Sequence, residues 1–296
     1  MLEFLKEVKL DEPLFLRNVT LYPLTGEIGS NGFTTLDEAL ERKEASFKDV
    51  LDVNSVELDY RGGAPLFIMD GEEIIGARQD RVVNTAIFAE PNTRAVIPVS
   101  CIEEGRWSGG EEFKPGYFSV TPSLRSILAS TVTDSLKNSG KFMSNQSLIW
   151  KTVRDTLKVT GVQSITGSFH DMVRSLGEEI EEYVEEYETP EDISGFIAYV
   201  NNSFVGMDLF ATRDLYKKLE NKLLKSYALE GVIRQRVKKK SLEIEPHELI
   251  RYLVNSEFEA FKSVIKGTEW RLKQGNLVAR ALTVEENPVH VAVFSV

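Results

Sequence analysis

Apolar residues recur at every second position near both ends of this chain, and at every third or fourth position through its middle. Strands first and last, with helices between, is not the alternating strand–helix order of a parallel sheet. It predicts an α+β fold. "LFLRNVTLYPL" (14–24) and "SVELDYR" (55–61) read as strands, and three more are expected within 65–107, with turns at Asp70-Gly71 and Glu90-Pro91-Asn92. Helical spacing covers 121–137, 144–161, 168–190, 212–233 and 245–267, and a short helix behind Thr35 has Glu38 three positions on, the pattern of a capping box. Two apolar runs around Asn201-Asn202 (193–212) predict a hairpin, and strands close the chain over 269–284 and 288–296.

The closing strands need partners, and the opening strands are the available ones. The expectation is a mainly antiparallel sheet built from N-terminal and C-terminal strands and packed with a helical middle segment. On this reading residues 1–296 form a single discontinuous domain: strand-rich over 1–120 and 267–296, mainly helical over 121–266, with a hairpin near 193–210.

Charge and residue counts narrow the function. The formal net charge is -11, a field that repels polyanions and argues against nucleic acid or a membrane as the partner. The basic run "RQRVKKK" (234–240) reads as surface charge near a helix end rather than a nucleic-acid patch. The N-terminal residues lack a signal-peptide pattern, and the one cysteine, Cys101, fits a reducing cytoplasmic setting. The three histidines, His170, His247 and His290, lie far apart without metal-ligand spacing. No cofactor is expected, and a divalent metal held by carboxylates alone stays open. His290 in "PVHVAVF" reads as a sheet histidine, Asp208 in "FVGMDLF" as a turn or helix-cap acid, and Cys101 as a small buried thiol.

One stretch departs from this background. "GARQDRVVNT" (76–85) sets Arg78, Gln79, Asp80, Arg81 and Asn84 between two apolar runs. As a strand it would place Gln79 and Arg81 on one face and Arg78, Asp80 and Asn84 on the other, with Arg78 and Asp80 able to pair. If the flanking strands pair antiparallel, residue 81 lies near residue 102. Arg78, Gln79 and Arg81 then meet Glu103, Arg106 and Trp107 at one end of the sheet. Arginine forks suit phosphates and carboxylates, and tryptophan offers a stacking face.

These residues also carry a resemblance. "GEEIIGARQDRVVNTAIF", "IPVSCIEEGRW", "GFIAYVNNSFVGMDLF" and "PVHVAVFSV" are similar to a bacterial and archaeal family, the ADP-ribosylglycohydrolase- and rhodanese-phosphatase-associated protein domain. The family pattern G-E-x-x-x-G-x-x-Q-N-R-x-x-N, then P-V-S-C-x-E-x-x-R-W, falls on Gly71, Glu72, Gly76, Gln79, Arg81, Asn84, Pro98, Cys101, Glu103, Arg106 and Trp107. Asp80 stands where the pattern has asparagine. The resemblance implies a role beside NAD-derived metabolites, by association rather than by chemistry.

Two functions follow. In the first, the protein binds a small anionic, nucleotide-like metabolite such as an ADP-ribose or NAD derivative. Arg78, Arg81 and Arg106 grip the anion, Gln79 and Asn84 supply amide contacts, and Trp107 stacks. Glu72 and Glu103 are the candidate acid/base pair should a glycosidic or phosphate bond be hydrolysed. In the second, the polar cluster only fixes the fold. The chain is then an interaction or scaffold protein whose helical half serves a partner, self-association included.

Overall fold

The fold is α+β in the computed structural model, which describes residues 2–50, 52–185, 187–237 and 242–296. Lys238–Lys240, part of the basic run, lie outside the described residues. Contacts divide the chain into two compact units, each discontinuous in sequence. One comprises Met1–Asn31, Glu179–Ser263 and Gly267–Val296, the other Gly32–Glu178 and Val264–Lys266. They are called unit 1 and unit 2 below. No described helix is long and apolar enough to cross a membrane.

Unit 1 is built on a nine-stranded antiparallel sheet that mixes both ends of the chain. Val19–Thr25 pairs with Ile193–Val200, which forms a hairpin with Ser203–Phe210. Asn287–Ser295, Leu277–Val284, Thr268–Gln274 and Glu259–Lys262 then follow in order. The closing strands thus join an N-terminal strand, but through the hairpin rather than directly. Asn201 and Asn202 turn the hairpin at φ 50° and 60°, the left-handed values a tight two-residue turn demands. Every residue of both hairpin strands is buried. One face meets an apolar core that includes Leu24, Met207, Leu209, Val291 and Val293. The helix Arg213–Arg236 packs against the hairpin, with Tyr227 meeting Phe196 edge-on at 4.9 Å. Thr212 caps that helix by accepting from the Leu215 amide at 3.3 Å, and Arg234 and Arg236 in its last turn suit the helix dipole.

Unit 2 holds a six-stranded sheet in the order Phe113–Ser119, Glu72–Gly76, Arg81–Val83, Arg94–Cys101, Ser55–Tyr60, Ala45–Asp49. A smaller sheet joins Ile87–Ala89, Leu66–Ile68 and Thr34–Thr35. Their core includes Leu36, Leu58, Ile68, Ile74 and Ile97, all fully buried. Burying such a side chain contributes about 1.5–3 kcal/mol. The expected capping box is present: the Thr35 amide donates to Glu38 Oε2 at 2.9 Å ahead of the helix Leu36–Glu41. Helices Pro122–Ser139 and Gln146–Thr160 start behind Thr121 and Asn145 and end at the left-handed glycines Gly140 and Gly161.

Three expectations are corrected. The helix read over 168–190 breaks into Phe169–Ser175 and Gly177–Val184, because Gly177 lowers helix propensity where the pattern alone ran on. The helix read over 245–267 stops at Asn255, and the alternating "EFEAFK" after it supplies the edge strand Glu259–Lys262. The three strands read over 65–107 are five, because Ala77–Asp80 and Asn84–Ala86 interrupt them.

Candidate functional site

In unit 2, "GARQDRVVNT" is a turn followed by a three-residue strand. Ala77, at φ 43°, leads the chain through 77–80, and Arg81–Val83 pairs with Val99–Cys101. Arg81 stands opposite Cys101, one residue from the expected register, so the convergence with Glu103 and Arg106 holds. The expected Arg78–Asp80 pair does not form. Asp80 Oδ1 accepts from Arg106 Nη2 at 3.0 Å and from the Gly76 amide at 2.9 Å, while Arg78 points into solvent.

The polar side chains gather, and most of their bonds end on the main chain. Gln79, fully buried, donates to the Glu103 carbonyl at 2.8 Å, and its Oε1 accepts from Arg81 Nη1 at 3.0 Å. Arg81 also contacts Cys101 Sγ, and its buried Nε has no hydrogen-bond partner among the described residues. Asn84 donates to the Val99 and Phe142 carbonyls at 3.2 and 3.1 Å and accepts from Ser100. Gln146 grips the Cys101 main chain from both sides, accepting from its amide at 2.8 Å and donating to its carbonyl at 2.7 Å. Arg106 holds Glu103 through Nε at 2.9 Å and reaches the Gly76 and Ala77 carbonyls at 3.2 and 2.7 Å. Gly109 packs so closely on this turn that a Cβ there would lie 1.9 Å from the Ala77 oxygen. Trp107 is 58% exposed and meets Trp150 edge-on at 6.3 Å. Glu72 is buried and accepts from the Met69 amide at 2.7 Å.

Electrostatics separate the acids. Burial disfavours the charged form of Glu103, but bonds from Arg106, Thr166 and the Asp80 amide outweigh it, and its carboxyl titrates below the usual range. Asp80 moves up, chiefly by desolvation, which the Gly76 amide offsets only in part. Burial pushes the Cys101 thiol up to about 11, too high for a nucleophile at neutral pH. Half-buried His170 moves up because its Nδ1 bonds Glu73 at 3.1 Å. Among the described residues, no three His, Cys, Asp or Glu side chains are grouped as metal ligands would be.

Unit 1 contains a second polar cluster that sequence reading missed. The Tyr227 hydroxyl donates to Asp208 Oδ2 at 2.8 Å, and His290 Nε2 meets Asp208 Oδ1 at 2.9 Å. Arg280 Nη1 lies 3.0 Å from His290 Nδ1, and Arg280 Nε and Arg271 Nη2 both reach Glu269 Oε1 at 3.0 Å. Asp208, Glu269, Arg271, Arg280 and His290 are all fully buried. Guanidinium can only donate, so Nδ1 accepts and Nε2 carries the proton given to Asp208. The imidazole, stacked on Phe210 at 4.5 Å, is therefore a neutral bridge with both nitrogens engaged. The reading of Asp208 as a turn or cap acid is corrected: it lies within Ser203–Phe210, opposite Ala292, and Thr212 is the cap. His290 is the sheet histidine expected. A signal was available, since Asp208, Arg280 and His290 are each the one ionisable residue in an otherwise mainly apolar strand. Their meeting depends on register: Asp208 and Arg280 flank Ala292, and His290 lies two residues from it on the same face.

Residues 7–294 match the model of the ARG and Rhodanese-Phosphatase-superfamily-associated Protein domain. No curated protein and no solved structure matches the chain. The chain belongs to the ARG and Rhodanese-Phosphatase-superfamily-associated Protein domain family.

Proposed function

We propose that this family member binds a small anionic, nucleotide-like metabolite on unit 2, with Arg78 and Trp107 as the direct contacts and the buried motif as their support. The observation that carries the reading is the 2.7 Å bond from Arg106 to the Ala77 carbonyl. It ties together two turns whose next residues, Arg78 and Trp107, are both exposed. A guanidinium and an indole, one residue to either side of a fixed link, suit a phosphate and a base or ribose face. Arg78 pairs with no carboxylate among the described residues, so it offers its charge to a ligand. Gln79, Arg81, Asn84, Glu103 and Arg106 hold the platform rather than the ligand. Glu72 and Glu103 are buried and already accept from the main chain or Arg106, which favours binding without hydrolysis. The choice of an ADP-ribose-like or other NAD-derived ligand rests on the resemblance alone, by association.

A second reading keeps the cluster purely structural, because both the nitrogen and the oxygen of the Gln79 and Asn84 amides are already engaged by neighbouring residues. A thermal-shift screen with ADP-ribose, NAD, AMP and ribose 5-phosphate separates the two. A ligand at a hundred times its Kd stabilises the protein by about 2.7 kcal/mol. The binding reading predicts a raised midpoint with at least one of these ligands. A flat response to all four supports the framework reading instead.

A further inference from the structure

Away from both polar clusters, unit 1 carries an apolar trough of about 540 Å³ between its N-terminal segment and the helix Pro246–Asn255. Its floor is Val8, Leu10, Leu24, Ile250 and Val254. Leu24 belongs to the core beneath, while Val8, Leu10, Ile250 and Val254 pack against that core and stay half-exposed. Ile250 and Val254 are one turn apart, so the helix presents a continuous apolar strip there.

The rim has one sign. Lys6, Lys9, His247 and Arg251 line the trough and are exposed, and no acidic residue among the described residues lines it. This occurs in a chain with 46 Asp and Glu against 35 Lys and Arg. Lys6 pairs with Glu3, whereas Lys9 and Arg251 form no ion pair among the described residues. An apolar floor edged by two unpaired cations, Lys9 and Arg251, suits a hydrocarbon chain ending in an anion. The volume falls within the range of small-molecule sites, about 300–1,000 Å³.

We infer that this trough binds an anionic amphiphile, with an alkyl chain on Val8, Leu10, Ile250 and Val254 and a carboxylate or phosphate head on Lys9 and Arg251. The site belongs to unit 1 and is independent of the metabolite reading for unit 2. Each buried methylene strengthens binding about fourfold, so chain length is read directly in affinity. The charged rim adds a term that salt screens.

Calorimetric titration of the full chain with decanoate, decyl phosphate, octanoate and the neutral octyl glucoside, each below its micellisation concentration, tests this. Saturable one-site binding of decanoate or decyl phosphate is expected, roughly fifteenfold tighter than octanoate if both extra methylenes are buried. The stronger of the two identifies the head group. Binding should weaken at least tenfold in Lys9→Glu/Arg251→Glu and fall with added salt in the unmodified protein. The salt series carries the test should the double variant fail to fold. Absence of saturable binding by either anion overturns the inference. So does equal affinity for octyl glucoside and octanoate, or salt-independent binding that the double variant leaves unchanged. Binding of an acidic amphipathic peptide in the absence of either anion also overturns it, in favour of a protein partner.

Discussion

Both units bury charge, but they use it differently. In the unit 2 cluster the buried and half-buried polar side chains reach mainly for the main chain: Gln79 for the Glu103 carbonyl, Asn84 for Val99 and Phe142, Arg106 for Gly76 and Ala77, Gln146 for Cys101. Such bonds fix the shape of turns. In unit 1 the side chains reach for one another, from Tyr227 through Asp208, His290 and Arg280 to Glu269 and Arg271. Those bonds lock a helix and four strands into one register. The first arrangement holds up an exposed surface; the second is fully buried. A buried charge cluster is thus not by itself a binding site, and its bonding partners indicate which role it plays.

The largest effect that sharpens this contrast lies in unit 1. Asp208→Ala strands His290 and Tyr227 and leaves the arginines with less compensating charge, so urea unfolding should show a loss of about 3–5 kcal/mol. A loss below about 1 kcal/mol would mean that the chain of side chains is not a single energetic unit. In unit 2, Arg106→Ala removes the clamp on the 76–80 turn and leaves Glu103 and Asp80 without their cation. A loss of about 1–3 kcal/mol is expected, together with faster amide hydrogen exchange in that turn.

Asp80 gives a smaller effect of unusual sign. Asparagine at this position keeps an oxygen for the Gly76 amide and Arg106, and removes the desolvation that raises the Asp80 pKa. Asp80→Asn should therefore leave stability within about 1 kcal/mol at neutral pH, on the neutral or stabilising side. Destabilisation well beyond that would assign the charge itself a structural role.

Within unit 2 the pH dependence has two parts of opposite sign. His170 has its pKa raised above the ordinary 6.5, mainly by Glu73. Its stabilisation is complete below about 6.5 and is lost as pH rises through the folded value. Glu103, held below its ordinary 4.5, behaves oppositely: its contribution is complete above 4.5 and is lost as pH falls through the folded value. Comparing stability profiles of the unmodified chain and His170→Asn between pH 6 and 8 should remove a decline of less than about 1 kcal/mol, since the pair is partly solvated. Identical profiles would contradict the assignment.

How much of this could be read from sequence follows from how far apart the participating residues lie. The unit 2 cluster falls mostly within residues 71–107, so a contiguous motif and one antiparallel pairing brought Gln79, Arg81, Glu103 and Arg106 together to within one residue of register. What periodicity could not show was the left-handed Ala77, which turns Arg78 outward and hands Asp80 to Arg106. The unit 1 chain spans residues 208–290 on four strands and a helix, and only the order of the closing strands makes them neighbours. The α+β class and the Asn201-Asn202 hairpin were legible because local turn chemistry and periodicity determine them. The ends of the 168 and 245 helices were not, since apolar spacing continues past Gly177 and Asn255.

The smallest effect on stability is also the most direct test of the proposed binding surface. Arg78→Ala removes an exposed side chain and should change unfolding free energy by no more than about 0.5 kcal/mol. The measurement is the thermal midpoint of the unmodified protein and of Arg78→Ala, each with and without the ligand that responds best in the screen. The account predicts equal midpoints without ligand and a ligand-induced rise that disappears in the variant. A rise of equal size in both proteins would contradict it.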